Sequence, residues 1–235
     1  MNTGAPDEQL GAPIPVTVLV VAKAPVAGFA KTRLSPPLTP VQAARLAAAA
    51  LLDTLDAVLD CPAARRVVAF TGDLGAAEYG AEIADKLAGF EITAQRGDGF
   101  GVRLANAHAD AARTGLPVLQ IGMDTPQLDP RLLADAARSL AGGAEALLGP
   151  AADGGWWALG LSDPSAARLL ADVPMSTERT GEATRNALQD SGYWVGTLPT
   201  LTDVDHYTDA LHVATDCTGR FAAEVRNLAD QRVAR

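Results

Sequence analysis

Lysine is nearly missing from this chain. Of its 19 basic residues only Lys23, Lys31 and Lys86 are lysines; the rest are arginines. Cysteine is as scarce. Cys61 and Cys217 stand far apart, in no metal-ligand spacing, which argues against a thiolate zinc site. Nothing calls for a disulfide, and free thiols suit a reducing compartment, so a cytoplasmic protein is expected. No apolar run approaches the ~18 residues of a membrane-spanning helix, so no membrane span is expected. The opening stretch MNTGAPDEQLGAPIP lacks the basic and apolar regions of a signal peptide. Residues 1–15 are therefore expected to form a flexible leader. Excess positive charge is absent too. At a formal net charge of −9, the chain is a poor partner for nucleic acid, whose phosphates require a basic surface.

Against this acidic background one stretch is basic. AKAPVAGFAKTRLSPPL holds Lys23, Lys31 and Arg33, and no acidic residue occurs between Gln9 and Leu52. It directly follows VTVLVVA (16–22), a continuous β-branched run that fits a central strand buried on both faces. Thr39 then caps a helix, with Pro40 in its first turn and Gln42 completing a capping box. Leu46, Ala49, Ala50, Leu52 and Leu55 give that helix an apolar face.

Further strands are expected at RRVVAFT, FEITAQR, LPVLQIGMD, AEALLGPA, GWWALGL and YWVGTLP, with helical stretches such as AAEYGAEIADKLA, DPRLLADAARSLAG and SAARLLADV between them. Strands alternating with helices predict a three-layer α/β/α fold around a mostly parallel sheet. No repeat or linker divides it, so residues 16–235 are expected to form a single domain. In such sheets ligands bind beyond the carboxyl ends of the strands. The residues just after each strand are therefore the candidates.

After the first strand, Lys23, Gly28, Lys31, Thr32 and Arg33 can hold phosphate oxygens. The ammonium groups act as point charges and the guanidinium as a fork. The spacing is not that of a P-loop. The alternative is a solvated basic loop. After the fourth strand, Asp124 in IGMDTPQL is either a ligand for Mg²⁺ or Mn²⁺, which choose oxygen donors, or a cap on the turn. In GPAADGGWWALGL, Asp153, Gly154 and Gly155 form a tight turn. Trp156 and Trp157 point to opposite faces, one expected in the core and one at a pocket wall. LTDVDHYTDAL offers Asp203 and Asp205, of which one is expected to face the pocket. QRGDGFGVR leads into a helix start where Arg103 could meet an anion. Ser176 and Thr177 lie in a loop entering a helix. His108 and His206 are read as structural and surface residues.

Taken in series, AKAPVAGFAKTRL, IGMDTPQL, GPAADGGWWALGL, PMSTERTGEAT and LTDVDHYTDAL resemble the DUF2064 group of GT-A-fold transferases over residues 16–212. The layout is also similar to small nucleotidyltransferases of the phospholactate guanylyltransferase type. The resemblance implies a Rossmann-like sheet of GT-A type and a divalent cation, Mg²⁺ or Mn²⁺, between Asp124 and Asp205. It implies a nucleotide and phosphate site at Lys23, Gly28, Lys31, Thr32, Arg33 and Arg103. It places Gly154, Gly155, Trp156, Ser176 and Thr177 on the substrate, with Asp153, Lys31 and Arg33 as catalytic groups. This chain departs from the pattern at His206 and Tyr207, where the guanylyltransferases carry Thr-Pro, at the paired tryptophans, and at Met175 in PMST.

The expected partners are a nucleotide sugar or nucleoside triphosphate and a small-molecule acceptor. Glycosyl transfer from a nucleotide sugar is the leading expectation, with Asp153 as base or acceptor-orienting group. Nucleotidyl transfer with loss of pyrophosphate is the alternative, and a non-catalytic nucleotide binder the third.

Overall fold

The computed structural model describes residues 12–233. Seven strands form one sheet in the order β3-β2-β1-β4-β6-β5-β7. They are β1 (Ile14–Lys23), β2 (Ala63–Thr71), β3 (Glu91–Ala94), β4 (Val118–Ile121), β5 (Ala146–Pro150), β6 (Trp156–Leu161) and β7 (Val195–Thr197). β6 runs antiparallel to both its neighbours, and the remaining pairs are parallel. The expected mostly parallel α/β sheet is therefore the one found. β1 begins at Ile14, so residues 14–15 of the expected leader belong to the sheet; residues 1–11 lie outside the described residues.

The helices are α1 (Pro40–Asp60), α2 (Gly80–Leu87), α3 (Phe100–Ala111), α4 (Pro130–Ala141), α5 (Thr180–Asp190), α6 (Tyr207–Val213) and α7 (Arg220–Val233). SAARLLADV, expected as a helix, lies in a 3-10 helix, Pro164–Asp172, whose first turn is held by Asp163 accepting from the Ser165 amide.

β1 shows why its sequence is apolar without alternation. Val16, Val18, Val20 and Ala22 pack into one core with α1 and α4, while Leu19 and Val21 pack into a second with α3 and the 3-10 helix. A strand covered on both faces needs hydrophobic residues at both parities. α1 is likewise buried on two sides. Leu51, Leu52 and Leu55 face the sheet; Leu46, Ala49 and Ala50 join Phe221 and Val225 of α7 in a third core. The single apolar face expected for α1 is thus two, because α6 and α7 add a partial outer layer. The predicted N-terminus holds: the Gln42 amide donates to Thr39 Oγ1 at 3.3 Å, and the Thr39 amide to Gln42 Oε1 at 2.9 Å.

The antiparallel turn of β6 positions the site. β5 and β6 form a hairpin whose loop, residues 151–155, falls at the same sheet end as the carboxyl ends of β1, β2 and β4. The chain after β7 returns to this end. Leu201 bridges to Ala151, and the Val204 amide donates to the Asp124 carbonyl at 3.1 Å.

Candidate active site

A cavity of about 1480 Å³ opens at the carboxyl ends of the parallel strands. Its floor is strand ends; its rim is the loop after β1, the 151–155 hairpin, the loop before α5 and residues 202–209. This is where the strand-end rule places a ligand.

The basic loop is anchored by Ala30, Leu34 and Leu38, all buried, so it is a packed element carrying polar groups outward. Gly28 turns it at φ 80°, a conformation that favours glycine. Lys23 Nζ donates to the Phe29 carbonyl at 3.1 Å and braces the same turn. Lys31 adopts a left-handed conformation, φ 50°, and its side chain runs back toward the sheet. There Nζ lies 2.6 Å from Asp124 Oδ2 and 2.9 Å from Asp205 Oδ1. Arg33, largely exposed, takes the other oxygen of Asp205, with Nη1 at 3.0 Å from Oδ2. Burial alone would lower the Lys31 ammonium, but the charges of Asp124 and Asp205 outweigh it and hold the group above the ordinary lysine range. Burial likewise disfavours the Asp205 carboxylate, yet Lys31 and then Arg33 keep it below its ordinary value.

The acidic residues form a second grouping that shares Asp205. Carboxylate oxygens of Asp153, Asp203 and Asp205 lie within 4.8 Å of one another. Both Asp203 and Asp205 line the cavity, which corrects the expectation that one of them would. Residues two apart on an extended chain share a face, and Val204 between them turns into the core, 2% exposed. Asp203 is pushed up to about 6, by burial first and by the neighbouring charges of Asp153 and Asp205 second. Asp209, in the first turn of α6, holds this segment in place. One of its oxygens accepts from the amides of His206 at 2.6 Å and Asp205 at 3.2 Å.

In the 151–155 hairpin, the Gly155 amide donates to Asp153 Oδ1 at 2.7 Å, an Asx turn that fixes the carboxylate. Gly154 sits at φ 88°, and a Cβ there would meet the Glu178 carbonyl oxygen at 2.0 Å. The Gly181 amide, in the first turn of α5, donates to the Gly154 carbonyl at 2.9 Å, so the start of α5 and the loop before it lie directly on the hairpin. This contact brings Ser176 and Thr177 to the rim. The two tryptophans divide as expected. Trp157 is buried, with Nε1 donating to the Pro199 carbonyl at 3.0 Å; Trp156 lines the cavity and donates to Thr184 Oγ1 at 3.1 Å.

Every residue the sequence placed at the site lines this cavity except Gly28, which shapes the loop behind it. Arg103 stands at the far edge, its guanidinium 5.6 Å from the centre of the Phe100 ring. Reasoning from sequence passed over Gln95 and Gln120. Gln95 Nε2 donates to the carbonyls of Ala22 and Ala69, each at 2.9 Å, and so closes the ends of β1 and β2 beneath the cavity. It is the first residue after β3, so the strand-end rule would have found it. Gln120 gave no such signal, because it lies inside β4.

Residues 54–177 match the family DUF2064, described as an uncharacterized protein conserved in bacteria. The chain belongs to the DUF2064 family. This DUF2064 protein is also 39% identical, over 144 residues, to a phosphoenolpyruvate guanylyltransferase from Streptosporangium roseum. The aligned stretch covers 59% of this chain and 60% of that relative. Among solved structures it is similar to a protein from Desulfovibrio desulfuricans provisionally described as a nucleotide-diphospho-sugar transferase. The TM-score is 0.78 at 24% identity, over 91% of this chain and 94% of that one. It is similar, too, to Rv0371c from Mycobacterium tuberculosis in complex with manganese, with TM-score 0.54 at 17% identity over 85% and 97% of the two chains. At these identities the structural likenesses establish a shared fold.

Proposed function

We propose that this protein is a transferase acting on a nucleotide-activated donor. Its favoured reaction is nucleotidyl transfer from a nucleoside triphosphate to a small anionic acceptor. The observation that carries the reading is the convergence of Lys31 and Arg33 on Asp124 and Asp205 at the mouth of the strand-end cavity. The guanylyltransferase named among its relatives adds support, and moves nucleotidyl ahead of glycosyl transfer, which led on sequence alone.

In this reaction an acceptor oxygen attacks the α-phosphorus. The bond from that phosphorus to the bridging oxygen of the β-phosphate breaks, and pyrophosphate leaves with the electron pair. Lys31 and Arg33 would sit against the phosphate oxygens and stabilise the charge that builds on them, a purely electrostatic contribution suited to phosphoryl chemistry. The Asp153 hairpin, Ser176 and Thr177 would bind the acceptor and exclude water. A phosphate or carboxylate acceptor is already ionised at neutral pH, so no general base is required of Asp153.

The clustered carboxylates of Asp153, Asp203 and Asp205, with Asp124 nearby, are all-oxygen donors of the kind Mg²⁺ and Mn²⁺ choose. A bound divalent cation would supply charge neutralisation for the triphosphate at these residues. The manganese complex of Rv0371c, which shares the fold, is consistent with this assignment.

Glycosyl transfer is the second reading, favoured by the overall likeness to the Desulfovibrio protein. The two separate by product. Protein incubated with Mg²⁺, phosphoenolpyruvate and each nucleoside triphosphate should release pyrophosphate from one of them. Release of nucleoside diphosphate from a nucleotide sugar, with no pyrophosphate from any triphosphate, would replace the first reading with the second.

A further inference from the structure

We propose that Lys31 is a built-in plug for the divalent-cation site, which the phosphate chain of the nucleotide must draw away before the metal can take its place. The inference rests on the metal-dependent reading above and adds an order of events to it.

Three observations carry it. First, two of the carboxylates that would hold a metal, those of Asp124 and Asp205, are already paired with the chain's own cations. Lys31 Nζ holds Asp124 Oδ2 at 2.6 Å and Asp205 Oδ1 at 2.9 Å, and Arg33 Nη1 holds Asp205 Oδ2 at 3.0 Å. An ammonium bridging two carboxylates from distant parts of the chain occupies the place of a cation. Second, the backbone under it is fixed in an unusual conformation. Lys31 has φ 50° and ψ 45°, its carbonyl accepts from the Leu34 amide at 3.0 Å, and Leu34 is fully buried. The main chain is therefore held, and what can move is the four-carbon side chain. Third, the same ammonium lines the cavity that would receive the phosphates, as do Lys23, Thr32 and Arg33. Lys31 would thus have two competing anionic partners, the carboxylates it holds and the phosphates of a nucleotide bound in the cavity.

The physical consequence is a coupling of sites. With Lys31 in place, a divalent cation on Asp124 and Asp205 would stand a few ångströms from its ammonium, a repulsion large enough to weaken binding by an order of magnitude or more. Phosphate oxygens that capture Lys31 remove that charge and expose the carboxylates. Metal and nucleotide then each strengthen the other's binding, reciprocally, as linkage requires. A lysine that only binds phosphate would leave metal affinity in the nucleotide-free protein untouched.

The test measures free Mn²⁺ by electron paramagnetic resonance during titration of the parent protein, Lys31→Met and Lys31→Arg, with no nucleotide present. Lys31→Met should bind Mn²⁺ roughly tenfold tighter or more than the parent, while Lys31→Arg, which keeps a cation, should stay close to the parent. Circular dichroism melting checks that the variants fold. A second measurement needs no variant: Mn²⁺ alone should scarcely raise the melting temperature of the parent, and Mn²⁺ with GTP should raise it clearly. Equal Mn²⁺ affinity in parent and Lys31→Met overturns the plug, as does strong binding of Mn²⁺ alone by the parent. Either result leaves the proposed transferase reading standing if Mn²⁺ with GTP still stabilises the protein. Failure of Mn²⁺ to bind parent and variant alike, with or without GTP, removes both the plug and the metal-dependent reading.

Discussion

Gly154 and Gly28 are both glycines at positive φ beside the same cavity, and they have opposite surroundings. At Gly154, φ 88°, an added Cβ meets the Glu178 carbonyl oxygen at 2.0 Å, and that oxygen belongs to backbone which cannot swing aside. At Gly28, φ 80°, an added Cβ meets nothing within 4 Å. Gly28→Ala therefore carries only the left-handed backbone penalty, about 1 kcal/mol. Gly154→Ala carries that penalty plus a steric conflict between the hairpin and the loop before α5, and should cost about 2–4 kcal/mol. Urea unfolding of the two variants checks the order. Equal midpoints would mean that the hairpin and that loop are not packed as described. The contrast also shows what a sequence conceals. Both glycines stand out in their motifs, but the neighbour that makes one indispensable lies in another segment.

The element that gives the site its charge is the loop between β1 and α1, and its far end is fixed by the cap on α1. The Thr39 hydroxyl accepts from the Gln42 amide and the Gln42 side chain accepts from the Thr39 amide, so two otherwise unpaired donors are satisfied together. Thr39→Ala should cost about 1 kcal/mol of stability. The double variant with Gln42→Ala should cost less than the two single changes added, because the bonds form one unit. Additive losses in thermal unfolding would show that the two bonds act separately. This cap was legible because its signal is local, four residues in a row. The strands were legible for a related reason: β1 is buried on both faces, so its sequence does not alternate between apolar and polar residues. The partners of Lys31 were not. They lie 93 and 174 residues away in the chain, and no periodicity encodes such a pairing. Only one of Asp203 and Asp205 was expected at the pocket, yet residues two apart on an extended chain share a face, and both line it.

The molecule as a whole is organised by its central sheet, covered on both sides, and that coverage buries a titratable group. His108 on α3 is fully buried against β4, its Nε2 3.0 Å from Gln120 Oε1. Burial pushes its pKa down from 6.5 to about 4, against the smaller upward pull of the bond to Gln120. The sign follows from linkage. Between those two values the unfolded chain binds a proton that the folded protein refuses, so stability falls as pH falls through this window and is complete above it. The full effect is about 3 kcal/mol. Asp203 acts in the opposite sense. Its folded value is raised from 3.8 to about 6, so in metal-free buffer it adds stability as pH falls through that range. The two overlap, and the parent protein alone would show a muted profile. The contribution of His108 is isolated by urea unfolding of parent and His108→Leu at a series of pH values from 7.5 to 4. The stability of the parent relative to the variant should decline steadily below about pH 6.5, whatever the constant cost of the changed packing. A difference that stays level across the series would mean that His108 takes up a proton in the folded state as readily as in the unfolded chain, and that the sheet does not seal α3 from water.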